Sequence, residues 1–189
     1  SLLDFRDAVH AVGTAAGPLA GLVAHSLGAT AAALAVREGL PVERLTFLAP
    51  PADPVPFFRR FLGALGVPAA LAPSIEATFE RQTGFRWRDL VVPAFTPAPT
   101  VPLLVVHDRG DREVPWQDGA AIAAAWPDAT LVTTEGMGHR KLVRDAAVVA
   151  RVVDFVAGDR AASRFAPADP LERELFDRER RWSATAPPR

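Results

Sequence analysis

The alternation of apolar and polar positions divides the first fifty residues into helix, strand, helix and strand. Leu2, Phe5, Val9 and Val12 recur at helical spacing, Asp4, Arg6 and Asp7 lie between them, and Gly13 with Gly17-Pro18 closes the segment. Leu19–Ala24 is an apolar run that reads as a buried strand. Leu27–Glu38 is an alanine-rich helix ended by Gly39 and Pro41, and Val42–Ala49 is a second buried strand. The alternation breaks over about residues 50–100, where prolines divide the chain and no strand pattern appears. Phe57, Phe58, Phe61, Leu62 and Leu65 form a helical stripe there, and Ile75 and Phe79 mark a second short helix.

Strand and helix resume with Val101–His107, a helix over Trp116–Trp126, a strand at Ala129–Thr134 and a helix from Lys141 to about Val156. Strands joined by helices of this length pair in parallel through right-handed crossovers. The expected class is α/β: a parallel sheet of about four strands with flanking helices and a helical insertion, all within residues 1–158. Residues 159–189 read as a linker and tail. Within them Leu171–Trp182 is a charged helix with Glu174–Arg178 and Asp177–Arg181 in i, i+4 register. Its thin apolar stripe suits a solvated helix, with a docking contact as the alternative.

Composition narrows the chemistry by exclusion. At 189 residues and 49% hydrophobic, the chain is long enough for one domain with its own core. A net charge of −1, with arginines interspersed among acids, offers no field for nucleic acid. The absence of cysteine removes disulfides, thiolate metal sites and a cysteine nucleophile. His10, His25, His107 and His139 lack metal-ligand spacing, so neither a metal nor another cofactor is expected. No stretch of about 18 unbroken apolar residues is present to span a membrane. The acidic opening does not resemble a secretory signal, and the expected location is the cytoplasm. The only methionine is Met137 and the chain opens at Ser1, so a missing upstream portion is expected.

Candidate chemistry begins at Leu22–Ala35, LVAHSLGATAAALA, where an apolar strand turns at Ser26 directly into a helix. So tight a turn needs small residues on either side, and Ala24 and Gly28 are in those places. The Ser26 side chain would then stand at the strand's carboxyl end, with the Leu27 amide pointing out of the first helical turn. A serine here could equally be a helix N-cap. The A-x-S-x-G pattern at a strand-to-helix turn resembles the nucleophile elbow of the α/β-hydrolases.

That resemblance implies a serine nucleophile served by a histidine and an acid in the chain order Ser, Asp, His. The loop DRGDREVP, residues 108–115, resembles the family's acid loop, with Asp111 on the acid's position. Asp108, where the family often has glycine, is the substitute candidate, and Asp53 a third. The loop GMGHRKL, residues 136–142, resembles the family's G-x-G-H element and presents His139. His25 is expected to point away from the site because strand neighbours alternate faces, and His107 to be a strand end. The insertion resembles the family's cap, and Phe57, Phe58 and Phe61 are candidates for lining an acyl pocket.

The family's N-terminal strands, and the loop that supplies a second oxyanion amide, have no counterpart here. Loss of such a donor typically costs on the order of 3 kcal/mol in the transition state. It would also leave the first strand as an apolar edge open to self-association. The implied activity is hydrolysis of a small-molecule ester, or of a thioester or small amide, through an acyl-enzyme on Ser26, Asp111 and His139, with the Leu27 amide holding the oxyanion. The alternative is a non-catalytic scaffold or ligand-binding protein of the same fold.

Overall fold

The computed structural model describes residues 2–95 and 97–158; the expected linker and charged helix lie outside the described residues. Helix α1 (Leu2–Ala16) leads to β1 (Leu22–His25), α2 (Leu27–Arg37) and β2 (Leu45–Leu48). The insertion carries α3 (Pro54–Ala64) and α4 (Ala72–Thr83), then 3-10 turns at Trp87–Leu90 and Val92–Ala94. After it come β3 (Leu103–Asp108), α5 (Trp116–Ala125), β4 (Ala129–Thr134), the short α6 (Gly138–Lys141) and α7 (Ala146–Ala157). The four strands pair in parallel in the order β1-β2-β3-β4, with Leu22 opposite Leu45, Leu45 opposite Leu103 and Leu103 opposite Ala129.

Alternation along the strands builds two cores. Leu45, Phe47, Leu103 and Val105 face one side, against α2, Ile122 of α5 and Trp126. Leu48, Leu104 and Val106 face the other, against Leu142 and Val148. This is why β3 opens as an unbroken apolar run, Leu103–Val106, and β2 is interrupted only by the buried Thr46. Each fully buried Leu or Phe contributes about 1.5–3 kcal/mol from its removal from water. Alanines at 29, 31, 32, 33 and 35 are fully buried and give α2 a narrow cross-section, so it lies close between the sheet and α1.

Several boundaries differ from those the pattern predicts. Leu19 and Val42 meet only in an isolated bridge, and regular pairing starts three residues later. At Gly21, between them, the Val156 side chain occupies the space a β-carbon would need. The last helix is broken: α6 and a 3-10 turn at Leu142–Arg144 precede α7, because the Asp145 carboxylate accepts from the amides of Ala147 (3.0 Å) and Val148 (3.1 Å) and starts a new helix. At the elbow, a β-carbon on Gly28 would meet nothing within 4 Å among the described residues, so close packing does not require its smallness.

The insertion is tied at both ends. Asp53 caps α3 by accepting from the Val55 amide at 2.9 Å, with Pro54 in the first turn. The Val92 amide donates to the Ala52 carbonyl at 3.0 Å, and buried Leu90, Val92 and Phe95 lead the chain back into the core. Among the described residues β1 is one edge of the sheet, with Val23 exposed. No helix among them is long and apolar enough to cross a membrane.

Candidate active site

Parallel pairing brings the carboxyl ends of all four strands to one edge, and Ser26, Asp111 and His139 follow β1, β3 and β4 there. Ser26 sits at φ 54° and ψ −131°, a conformation that L-residues rarely adopt. Its amide donates to the Leu48 carbonyl of β2 at 2.9 Å, and its carbonyl accepts from Ala29 at 2.9 Å, so the turn is fixed from both sides. It occupies the N-cap place of α2, yet its side chain makes no capping hydrogen bond. The hydroxyl is therefore not used to stabilise the helix, which sets this serine apart from an ordinary cap.

Asp111 and His139 are both buried, and the His139 Nδ1–H donates to Asp111 Oδ2 at 2.7 Å. A carboxylate only accepts, so the bond fixes the proton on Nδ1 and leaves Nε2 as the acceptor. The other oxygen of Asp111 accepts from the amides of Glu113 (2.8 Å) and Val114 (2.9 Å), which holds the carboxylate against rotation.

Two further histidines flank this pair. The buried His107 donates from Nε2 to the Val114 carbonyl at 3.1 Å, and the same nitrogen lies 3.4 Å from Asp111 Oδ2. Burial pushes its pKa down, against the pull of the Val114 carbonyl and of Asp111. Gly119 makes room for this ring, since a β-carbon there would stand 2.4 Å from His107 Nδ1. His25 lies on the other side. Its ring centroid is 4.6 Å from that of His139, and its Nε2–H donates to the His139 carbonyl at 3.1 Å. Burial likewise pushes the His25 pKa down, with the His139 carbonyl opposing and the neighbouring imidazole adding to the effect.

The expectation that His25 points away from the site is thus corrected. Face alternation governs neighbours within the sheet, but His25 is the last residue of β1, and what meets it is the loop from β4 crossing the strand ends. That crossing carries His139 from one edge of the sheet to the other. Gly136 and Gly138, at φ 77° and 63°, supply the reversals it needs.

Asp108 does not bond His139 and takes a different place from a substitute acid. Fully buried, it accepts from the Gly110 amide through Oδ1 (2.8 Å), and from the Thr134 hydroxyl (2.8 Å) and Met137 amide (3.0 Å) through Oδ2. It therefore joins the acid loop to the histidine loop. Burial opposes its charge, but the bonds from Met137, Thr134, Gly138 and Gly110 outweigh it and hold the carboxyl below the usual range. Asp53, the third candidate, is a helix cap. Phe57, Phe58 and Phe61 lie together on one cavity, whose wall also includes Leu27.

No curated protein matches the sequence. The family model described as TAP-like protein matches residues 87–161, a span that holds Asp111 and His139. Several solved structures are similar. MGS-MChE2, an α/β-hydrolase enzyme from the metagenome of sediments from the lagoon of Mar Chica, Morocco, is 14% identical with a TM-score of 0.59, covering 83% of this chain and 69% of that one. The esterase domain from a Rhodothermus marinus protein is 22% identical with a TM-score of 0.54, covering 85% and 67%. Rv0554 from Mycobacterium tuberculosis is 17% identical with a TM-score of 0.53, covering 72% and 65%. The chain thus spans 65–69% of the lengths of these three structures. With its parallel four-stranded sheet and helices on both faces, the chain has the α/β-hydrolase fold.

Proposed function

We propose that the chain is a serine hydrolase acting on carboxylic esters of small molecules, with Ser26 as nucleophile, His139 as general base and then acid, and Asp111 as its orienting carboxylate. The observation that carries this reading is the 2.7 Å bond from His139 Nδ1 to a buried, doubly anchored Asp111, which leaves Nε2 as an acceptor. The strained, uncapped Ser26 and the His25 contact, which brings the His139 ring beside the residue preceding Ser26, support it further. The esterase domain among the structural neighbours supports the ester as substrate class.

In the first half-reaction the Ser26 hydroxyl adds to the ester carbonyl as His139 Nε2 takes its proton. The tetrahedral oxyanion accepts from the Leu27 amide in the first turn of α2, where the helix dipole also favours negative charge. Collapse expels the alkoxide, which receives the proton from His139 and leaves as the alcohol. Water then repeats the sequence on the acyl-enzyme, giving the free acid and restoring Ser26. His25 and Asp108 take no proton in this scheme; they hold the loop that carries His139.

Steady-state hydrolysis of 4-nitrophenyl acetate tests the assignment. Ser26→Ala and His139→Ala should abolish turnover above background. Asp111→Asn, which can present the wrong tautomer of the imidazole, should lower kcat by roughly 10⁴-fold. Undiminished hydrolysis by Ser26→Ala would refute it.

A further inference from the structure

Building on the serine-hydrolase reading, we propose that the acyl group it accepts is uncharged, apolar and about the size of an aromatic ring, and that it seats in the cavity between α1, the start of α2 and the insertion. The cavity has a volume of about 310 Å³, at the low end for sites that take small ligands. All nine described residues on its wall are apolar, among them Leu27, Phe57, Phe58, Phe61, Phe79 and Trp87. Trp87 is central, its ring 4.8 Å from Phe58 and 4.5 Å from Phe79, each inclined by 32°. Its indole N–H donates to the Glu76 carbonyl at 3.3 Å, so its one polar atom is already engaged. Among the described residues the wall therefore has no side-chain donor or acceptor free to pair with a polar substituent, and a carboxylate or ammonium placed there would be stripped of water without compensation. Aromatic faces in this arrangement favour a ring, by offset or edge contact.

Position identifies which part of the ester enters. Leu27 is the residue after Ser26, and none of the wall comes from the loops that carry Asp111 and His139. The departing alkoxide must face His139 to receive its proton, so the acyl substituent is directed away from His139, toward the cavity.

Two experiments keep this inference separable from the hydrolase reading. In the first, Ser26→Ala chain is titrated into 4-fluorotoluene and into 4-fluorobenzoate and followed by ¹⁹F NMR. The neutral ring should broaden in proportion to protein and the carboxylate should not, and Phe79→Ser should abolish the broadening. In the second, kcat/KM is compared for the 4-nitrophenyl esters of phenylacetate, acetate and hydrogen succinate. Apolar pockets discriminate by about 10- to 200-fold per methylene, so phenylacetate should exceed acetate by at least about tenfold and the anionic succinate by about 100-fold or more. Phe61 is more than half exposed, so Phe61→Lys should keep the fold while lowering the phenylacetate-to-succinate ratio at least about tenfold. Equal binding of the two fluorinated rings, or equal kcat/KM for the three esters, would overturn the proposal. Binding of 4-fluorotoluene with no hydrolysis of any ester would overturn the hydrolase reading and the acyl assignment that rests on it.

Discussion

Replacing Asp108 by asparagine tests how the histidine loop is held. The substitution preserves shape but offers one acceptor oxygen where four donors converge: the Gly110 amide on Oδ1, the Thr134 hydroxyl and Met137 amide on Oδ2, and the Gly138 amide. With the amide oxygen kept toward Gly110, the new NH₂ faces the Met137 N–H. The Thr134 hydroxyl can turn and accept, but the Met137 amide cannot, so one amide donor loses its acceptor. In the flipped orientation Gly110 loses its partner instead. A buried donor left unpaired costs about 1–3 kcal/mol, and replacing charge-assisted bonds with neutral ones costs about 1 kcal/mol more. The expected loss is about 2–4 kcal/mol, a large share of the 5–15 kcal/mol typical of a folded domain. Urea unfolding at pH 7 measures it, and Asp108→Gly, with no acceptor at all, should lose more.

The same variant carries a pH signature. A carboxyl held below its ordinary value when folded adds stability that is fully present above the unfolded value of about 3.9 and is lost as pH falls toward the folded one. Asp108→Asn should remove that part of the acid dependence and lower kcat for an ester more than it raises KM, because Met137 precedes His139 by two residues. A variant within about 0.5 kcal/mol of the parent would refute the accounting, since that is the range of surface substitutions with no specific role.

Two other perturbations probe the elbow and its neighbour. Ser26→Gly should be more stable than the parent by about 1 kcal/mol in urea unfolding, since relief of a positive φ is worth about 1–3 kcal/mol against about 0.5–1 kcal/mol for glycine's extra freedom when unfolded, while Ser26→Ala should gain nothing. For His25 and His107, burial lowers the folded pKa, so the unfolded chain takes up their protons first and stability should fall as pH drops below about 6.5. His25→Phe keeps a ring against His139 but cannot donate to its carbonyl; it should flatten part of that dependence in urea unfolding between pH 7 and 5, and lower kcat about tenfold.

The order of elements was legible because β2 and β3 are buried on both faces and leave largely apolar runs, while proline marks where the alternation stops. Strand ends were less legible: the Leu19–Val42 bridge and the cap at Asp145 depend on what packs beside Gly21 and on a side chain that restarts a helix. The same divide runs through the site. Ser26, Asp111 and His139 each lie in a local pattern at a strand end. His25 and Asp108 were placed otherwise, since their roles arise where the loop from β4 crosses the sheet to meet β1 and the acid loop, contacts separated by 114 and 29 residues that periodicity cannot encode.

Labelling with a fluorophosphonate, followed by mass spectrometry of the digested chain, tests the central claim most directly. The account predicts one adduct, on Ser26, absent from Ser26→Ala, abolished in His139→Ala and strongly slowed in Asp111→Asn. A folded chain that takes up no label at Ser26, or one labelled at the parent's rate in His139→Ala, would contradict it.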